Sequence, residues 1–142
     1  MKTYYIKVIL VLLLGPLLIT GCLFSDYPVD EDGLLITNRA ECYVSSFKLY
    51  GTDFVTVVFD DKEAVVDTVA CTIKLKVKYG TDLKNVYPVF TLVTDAKLDP
   101  KITGITDFSD YKNNPPKYTV ISGNRKVKKT YTIYIEEDDF QP

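Results

Sequence analysis

"CTIKLKVKYG", residues 71–80, decides the fold. Cys71, Ile73, Leu75, Val77 and Tyr79 alternate along it with Thr72, Lys74, Lys76 and Lys78. Successive side chains of an extended chain point to opposite faces, so the apolar residues share one side and the lysines the other. The pattern predicts a strand with one buried and one wet face, as in antiparallel sheets.

The same period of two continues outward from this stretch. "FVTVVFDD", residues 54–61, reads as extended chain ending in a turn at Asp60-Asp61, and "EAVVDTV" after it as a further strand or a continuation. "VYPVFTLV", Val86 to Val93, is another strand, in which Pro88 marks an edge or a bulge because it has no N–H to donate. "KYTVISGNRKVKKTYTIYIEE" predicts a hairpin, with strands over 117–121 and 129–136 joined at Ser122-Gly123-Asn124. Between them, "TDAKLDPKITGITDFSDYKNNPP" is rich in turn formers and is the longest loop system. Turn residues recur roughly every 8–12 positions with no sustained helical period, which predicts an all-β antiparallel sandwich of about seven strands.

The composition narrows function mainly by exclusion. The chain has 17 Lys and Arg against 19 Asp and Glu, a net charge of −2, and neither His nor Trp. Without His there is no Ser-His-Asp or Cys-His arrangement, and zinc would lack its commonest nitrogen ligand. No metal or other cofactor is implied. A net acidic chain is a poor partner for nucleic acid, and the one basic run, Arg125-Lys126-Val127-Lys128-Lys129, reads as solvated turn charge. Tyrosine, at 11 residues, is the abundant amphipathic aromatic. Tyr111 and Tyr118, beside the Asn113-Asn114-Pro115-Pro116 turn, are the candidate platform for a sugar, since stacking rings next to amides suit one. Asp107 and Asp110 are the candidate acid pair for a glycosidase, but a small sandwich with acids on loops rarely builds the deep cleft that two such carboxylates need. The sequence is therefore read as that of a non-enzyme.

At the N-terminus, Lys2 and Lys7 precede an uncharged stretch from Val8 to Thr20 that Gly15-Pro16 interrupts. A spanning helix needs about 20 apolar residues, whereas a secretory signal needs a charged start, about 7–15 apolar residues and small residues at the cut. Ile19-Thr20-Gly21-Cys22 resembles the bacterial lipobox. The resemblance implies cleavage before Cys22, a lipid-bearing thioether on its sulfur and stable anchoring, because two or more acyl chains suffice where one gives marginal binding. Residues 1–21 are then the signal, and losing Lys2 and Lys7 takes the net charge to −4. Residues 22–40, with Asp26, Asp30, Glu31 and Asp32, read as an acidic tether, and 41–142 as the sandwich domain. "DEDG" lacks the ligand spacing of a calcium loop. Once Cys22 is acylated, Cys42 and Cys71 remain, and an even number in an exported chain favours a disulfide between them over two free buried thiols.

Three pieces in order, "IKLKVKYGTDLKNVYPVFTLVTDAKLDP", "GITDFSD" and "KYTVISGNRKVKKTYTIYIE", resemble the Ig-like or PKD-like modules of Bacteroidetes surface lipoproteins over residues 41–136. Tyr79 stands where that family often has proline, and Ser122-Gly123-Asn124 replaces an acidic turn. The resemblance implies a lipid-anchored, non-catalytic accessory protein of the outer membrane, facing the cell surface. Its partners would be a SusC/SusD-type, TonB-dependent importer of glycans or peptides. The alternative is direct binding of a surface glycan by exposed tyrosines.

Overall fold

The computed structural model describes residues 27–61 and 63–139; the lipobox resemblance and Cys22 lie outside them. Seven strands occur among the described residues: β1 Val44–Tyr50, β2 Val65–Asp67, β3 Thr72–Val77, β4 Tyr87–Leu92, β5 Lys97–Asp99, β6 Lys117–Ile121 and β7 Lys128–Glu137. They form a two-stranded sheet, β1-β4, and a five-stranded sheet in the order β2-β3-β7-β6-β5. The chain is thus an all-β sandwich, as its alternation predicts. In β3, Ile73, Leu75 and Val77 are buried, and each contributes roughly 1.5–3 kcal/mol. That burial fixes the register, since a one-residue slip would turn Lys74 and Lys76 inward.

The inner faces of both sheets meet in one core. Val44, Phe47 and Leu49 of β1 pack with Ile73, Val77, Val120, Tyr131 and Ile133 of the larger sheet. Phe90 joins the layers, with ring centroids 4.8 Å from Phe47 and 5.0 Å from Tyr118. The Tyr131 hydroxyl, fully buried, is bonded to the Val44 amide at 3.3 Å. Val44 and Phe47 both face inward although an odd number of positions separates them. A bulge between Val44 and Ser46 supplies the extra residue, and Pro88 of β4 sits inward opposite Leu49.

One pairing departs from the antiparallel expectation: β3 and β7 run parallel, from Thr72 beside Thr132 to Val77 beside Glu137. Alternation records which face a residue takes and is blind to strand direction, so the sequence pattern could not distinguish the two. "FVTVVFDD" is also not a strand. It contributes single bridges at Thr56 and Val58 and a short 3-10 turn, Phe59–Asp61.

The expected Cys42–Cys71 disulfide is not formed, and both cysteines are free thiols. Buried Cys42 donates from Sγ to Val120 O at 3.1 Å, and burial pushes its thiol pKa up. Cys71, at φ 53°, turns its sulfur back on its own turn, 3.8 Å from Thr68 O and 3.9 Å from Val69 O. Each sulfur is thus committed to carbonyls rather than to its counterpart.

Residues 27–40, expected as part of a flexible tether, are instead docked on the sandwich. Asp30 Oδ1 accepts the Asp32 and Leu34 amides, each at 3.0 Å, while its Oδ2 lies 2.9 Å from both Lys97 Nζ and Arg125 Nε. The Lys97 bond, more than any other contact, holds the Asp30 carboxyl far below its usual range. Arg125 also donates to Leu35 O and Asp95 O, so it is a nearly buried clamp rather than solvated turn charge. Backbone bonds from Thr37 N to Gly123 O and from Asn124 N to Arg39 O fasten the arm to the β6–β7 turn. Gly123 permits this approach, because a Cβ there would lie 2.5 Å from Thr37 Oγ1.

Candidate functional site

The arm, the β6–β7 turn and the start of β1 mark one end of the sandwich. The other end gathers the loops at 51–56, 78–86 and 100–116. Val86 bridges Thr106 there, and Phe108 N donates to Leu83 O at 2.7 Å. Both sequence-predicted tyrosines belong to this second end, but neither is a surface platform. Tyr111 is 9% exposed and Tyr118 6%. Tyr118 packs between Phe90 and Phe108, and burial raises its phenol pKa. The Tyr111 hydroxyl is buried without a hydrogen-bond partner among the described residues. Apolar packing around Phe108 claims these rings before any ligand can.

A shallow cavity of about 210 Å³ does lie beside them, and Asp107, Asp110, Asn114 and Lys117 line it together with the two tyrosines. It is smaller than the roughly 300–1,000 Å³ of usual ligand pockets. Its acids are also committed elsewhere. Asp107 accepts the Ser109 amide at 2.8 Å, and bonds from the Ser109 side chain and backbone pull its pKa down. Asp110 accepts from Asn113 Nδ2 at 2.9 Å. A glycosidase acid needs a raised pKa, so the shift of Asp107 is in the wrong direction.

The exposed aromatic surface at this end comes from residues that the sequence reading passed over. After β1 the chain turns through Tyr50-Gly51-Thr52-Asp53-Phe54. Gly51 N donates to Val55 O and Phe54 N to Gly51 O, each at 3.0 Å, while Asp53 Oδ1 accepts the Val55 amide at 3.0 Å. This lattice holds Phe54 at φ 59°, in the left-handed region that a bulky residue rarely enters. Its ring stacks on Tyr87 at a centroid distance of 4.9 Å and an interplanar angle of 22°, yet the residue remains 69% exposed. Tyr87 pairs with Tyr50 across β1-β4. Lys48 and Val89, then Ser46 and Thr91, pair along the same strands toward the arm. A signal for this site was present in the sequence. The same four residues recur as Tyr79-Gly80-Thr81-Asp82, followed there by Leu83, and a repeated turn ending once in a surface aromatic draws notice.

Comparison with known proteins supports the architecture. The chain is similar to a candidate glycoside hydrolase from Bacteroides thetaiotaomicron, with 27% identity and a TM-score of 0.56 over 72% of this chain and 26% of that one. It is also similar in fold to a DUF4623 family protein from Bacteroides eggerthii, with 18% identity and a TM-score of 0.50 over 68% of this chain and 21% of that one. The chain thus spans about a quarter or less of the length of these solved relatives. No curated protein matches it. Residues 54–135 match the family described as "SGBP, N-terminal", SGBP standing for surface glycan-binding protein. That match covers more than half of the chain and runs from Phe54 through most of β7, so the chain belongs to the SGBP N-terminal family.

Proposed function

We propose that this chain is a non-catalytic, lipid-anchored accessory module that presents glycan at the cell surface to a SusC/SusD-type, TonB-dependent uptake complex of the outer membrane. The observation that carries the reading is the family match over residues 54–135. Two further features support it. The lipobox resemblance implies a lipid on Cys22, six positions before Pro28, whose carbonyl accepts from Ile36 N inside the docked arm, and that length spans at most about 20 Å of extended chain. The sandwich then sits close to its membrane, with the 51–56 and 100–116 loops at the end remote from the arm. The acids of the shallow cavity are held by local hydrogen bonds, and Asp107 is more acidic than a proton donor at neutral pH should be.

The lipid anchor and the partner are tested together. Cys22→Ser is expected to release the protein from the outer-membrane fraction while leaving its unfolding transition unchanged. The native lipoprotein, solubilised in mild detergent, is expected to co-purify with a large barrel protein. Recovery of a clean monomer at native expression would overturn the partnership.

A further inference from the structure

We infer that the Phe54–Tyr87 stack, on the outer side of the β1-β4 sheet, is a carbohydrate-binding platform that takes the C–H face of a pyranose ring. This rests on the glycan-binding part of the reading above and gives it a place in the molecule.

Phe54 gives the fold little. Its left-handed backbone costs an L-residue about 1–2 kcal/mol relative to glycine. Its stack on Tyr87 returns about 0.5–1.5 kcal/mol, and most of its surface stays in water. Strain that the stack does no more than offset points to a role outside the fold. The geometry suits a sugar. Tyr87 covers one face of the Phe54 ring at 22° and fixes its tilt, which leaves the opposite face open as a flat apolar surface. Polar groups stand within the same strand pair. Tyr50 is opposite Tyr87, Lys48 lies two residues along β1, and Ser46 and Thr91 are paired beyond. A flat exposed ring at the end of a strand pair whose outer face carries Tyr50, Lys48, Ser46 and Thr91 matches a hydroxyl-edged pyranose better than the continuous apolar surface of a protein helix. Because Phe54 follows the far end of β1, the platform also faces away from the docked arm.

The test is affinity electrophoresis of the full chain through gels containing xylan, galactomannan, arabinan, amylopectin or yeast mannan. Circular dichroism and thermal unfolding serve as fold controls. The wild type is expected to be retarded by at least one of these polymers. Phe54→Gly, which keeps the turn unstrained, is expected to lose affinity about tenfold, and Phe54→Trp to retain or increase it. Tyr134→Ala, an exposed tyrosine of the other sheet, should have no effect. Retardation unchanged by Phe54→Gly would overturn the platform while leaving glycan binding intact. Loss of the barrel protein with retention of the polysaccharide would also overturn it, by making Phe54 a protein contact. A wild type that none of the polymers retards would overturn both the platform and the glycan-binding part of the functional reading, and the detergent co-purification would still decide the partnership.

Discussion

Tyr50-Gly51-Thr52-Asp53-Phe54 and Tyr79-Gly80-Thr81-Asp82-Leu83 are nearly the same five residues, and the fold uses them in opposite ways. In both, the aspartate accepts the amide two residues on, Val55 from Asp53 and Lys84 from Asp82. The left-handed residue differs. It is Gly80 in the second copy, at φ 73°, and Phe54 in the first. The last side chain differs as well, with Leu83 5% exposed and Phe54 69%. The cause lies outside the motif. The 106–108 segment closes over the second copy through Phe108 N to Leu83 O and the Val86–Thr106 bridge, and among the described residues no such bonds cover the first. The shared sequence supplies the same aspartate-to-amide bond in both copies; the neighbours decide the rest of the backbone path and whether the tip becomes core or surface.

Six substitutions, in four steps, would break or sharpen that contrast. The largest effect is expected for Leu83→Ala, which should cost about 2–5 kcal/mol in denaturant unfolding as a large-to-small change in a packed site. A cost below about 1 kcal/mol would mean that the covering loop closes without it. Next is Gly80→Ala, expected to cost about 1–2 kcal/mol because alanine must adopt the left-handed angle. Gly51 is not left-handed, and a Cβ there is crowded by Asp53 Oδ1 at 3.0 Å and otherwise meets Val57 Cγ1 at an ordinary 3.5 Å, so Gly51→Ala should cost less. Asp82→Ala comes third. It removes bonds to Lys84 N and to Asn85 Nδ2, whereas Asp53→Ala loses the bond to Val55 N. The expected costs are about 1 and 0.5 kcal/mol, with faster amide exchange at Lys84 and Val55 respectively. The smallest is Phe54→Gly, where relief of strain and loss of the stack nearly cancel. Stability should stay within about 1 kcal/mol of the wild type, and a loss above about 2 kcal/mol would make Phe54 a structural residue.

The same reasoning explains what could be read in advance. The buried face of β3 and the β6-β7 hairpin were legible because alternation and turn chemistry are local properties of Ile73, Leu75, Val77 and Ser122-Gly123-Asn124. The docking of Asp30 was not, because Lys97 and Arg125 lie far along the chain and only the fold brings them to it. Nor was the exposure of the tyrosines legible. Tyr111 and Tyr118 read as polar-rimmed rings beside a turn, but Phe90 and Phe108 enclose Tyr118. The best candidate ring, Phe54, reads in isolation as the first residue of an extended segment that does not form a strand.

The parallel match of β3 with β7 also sets the order in which the molecule can be assembled. Thr72 meets Thr132 after about sixty intervening residues, so the central ladder is among the least local contacts in the chain. Closing so long a loop is entropically slow compared with forming the β6-β7 hairpin. Until β7 is in place, β3 has only the three residues of β2 as a paired strand along its edges, and a chain made from the N-terminus must carry the other hydrogen-bonding edge of β3 unpaired until β7 arrives.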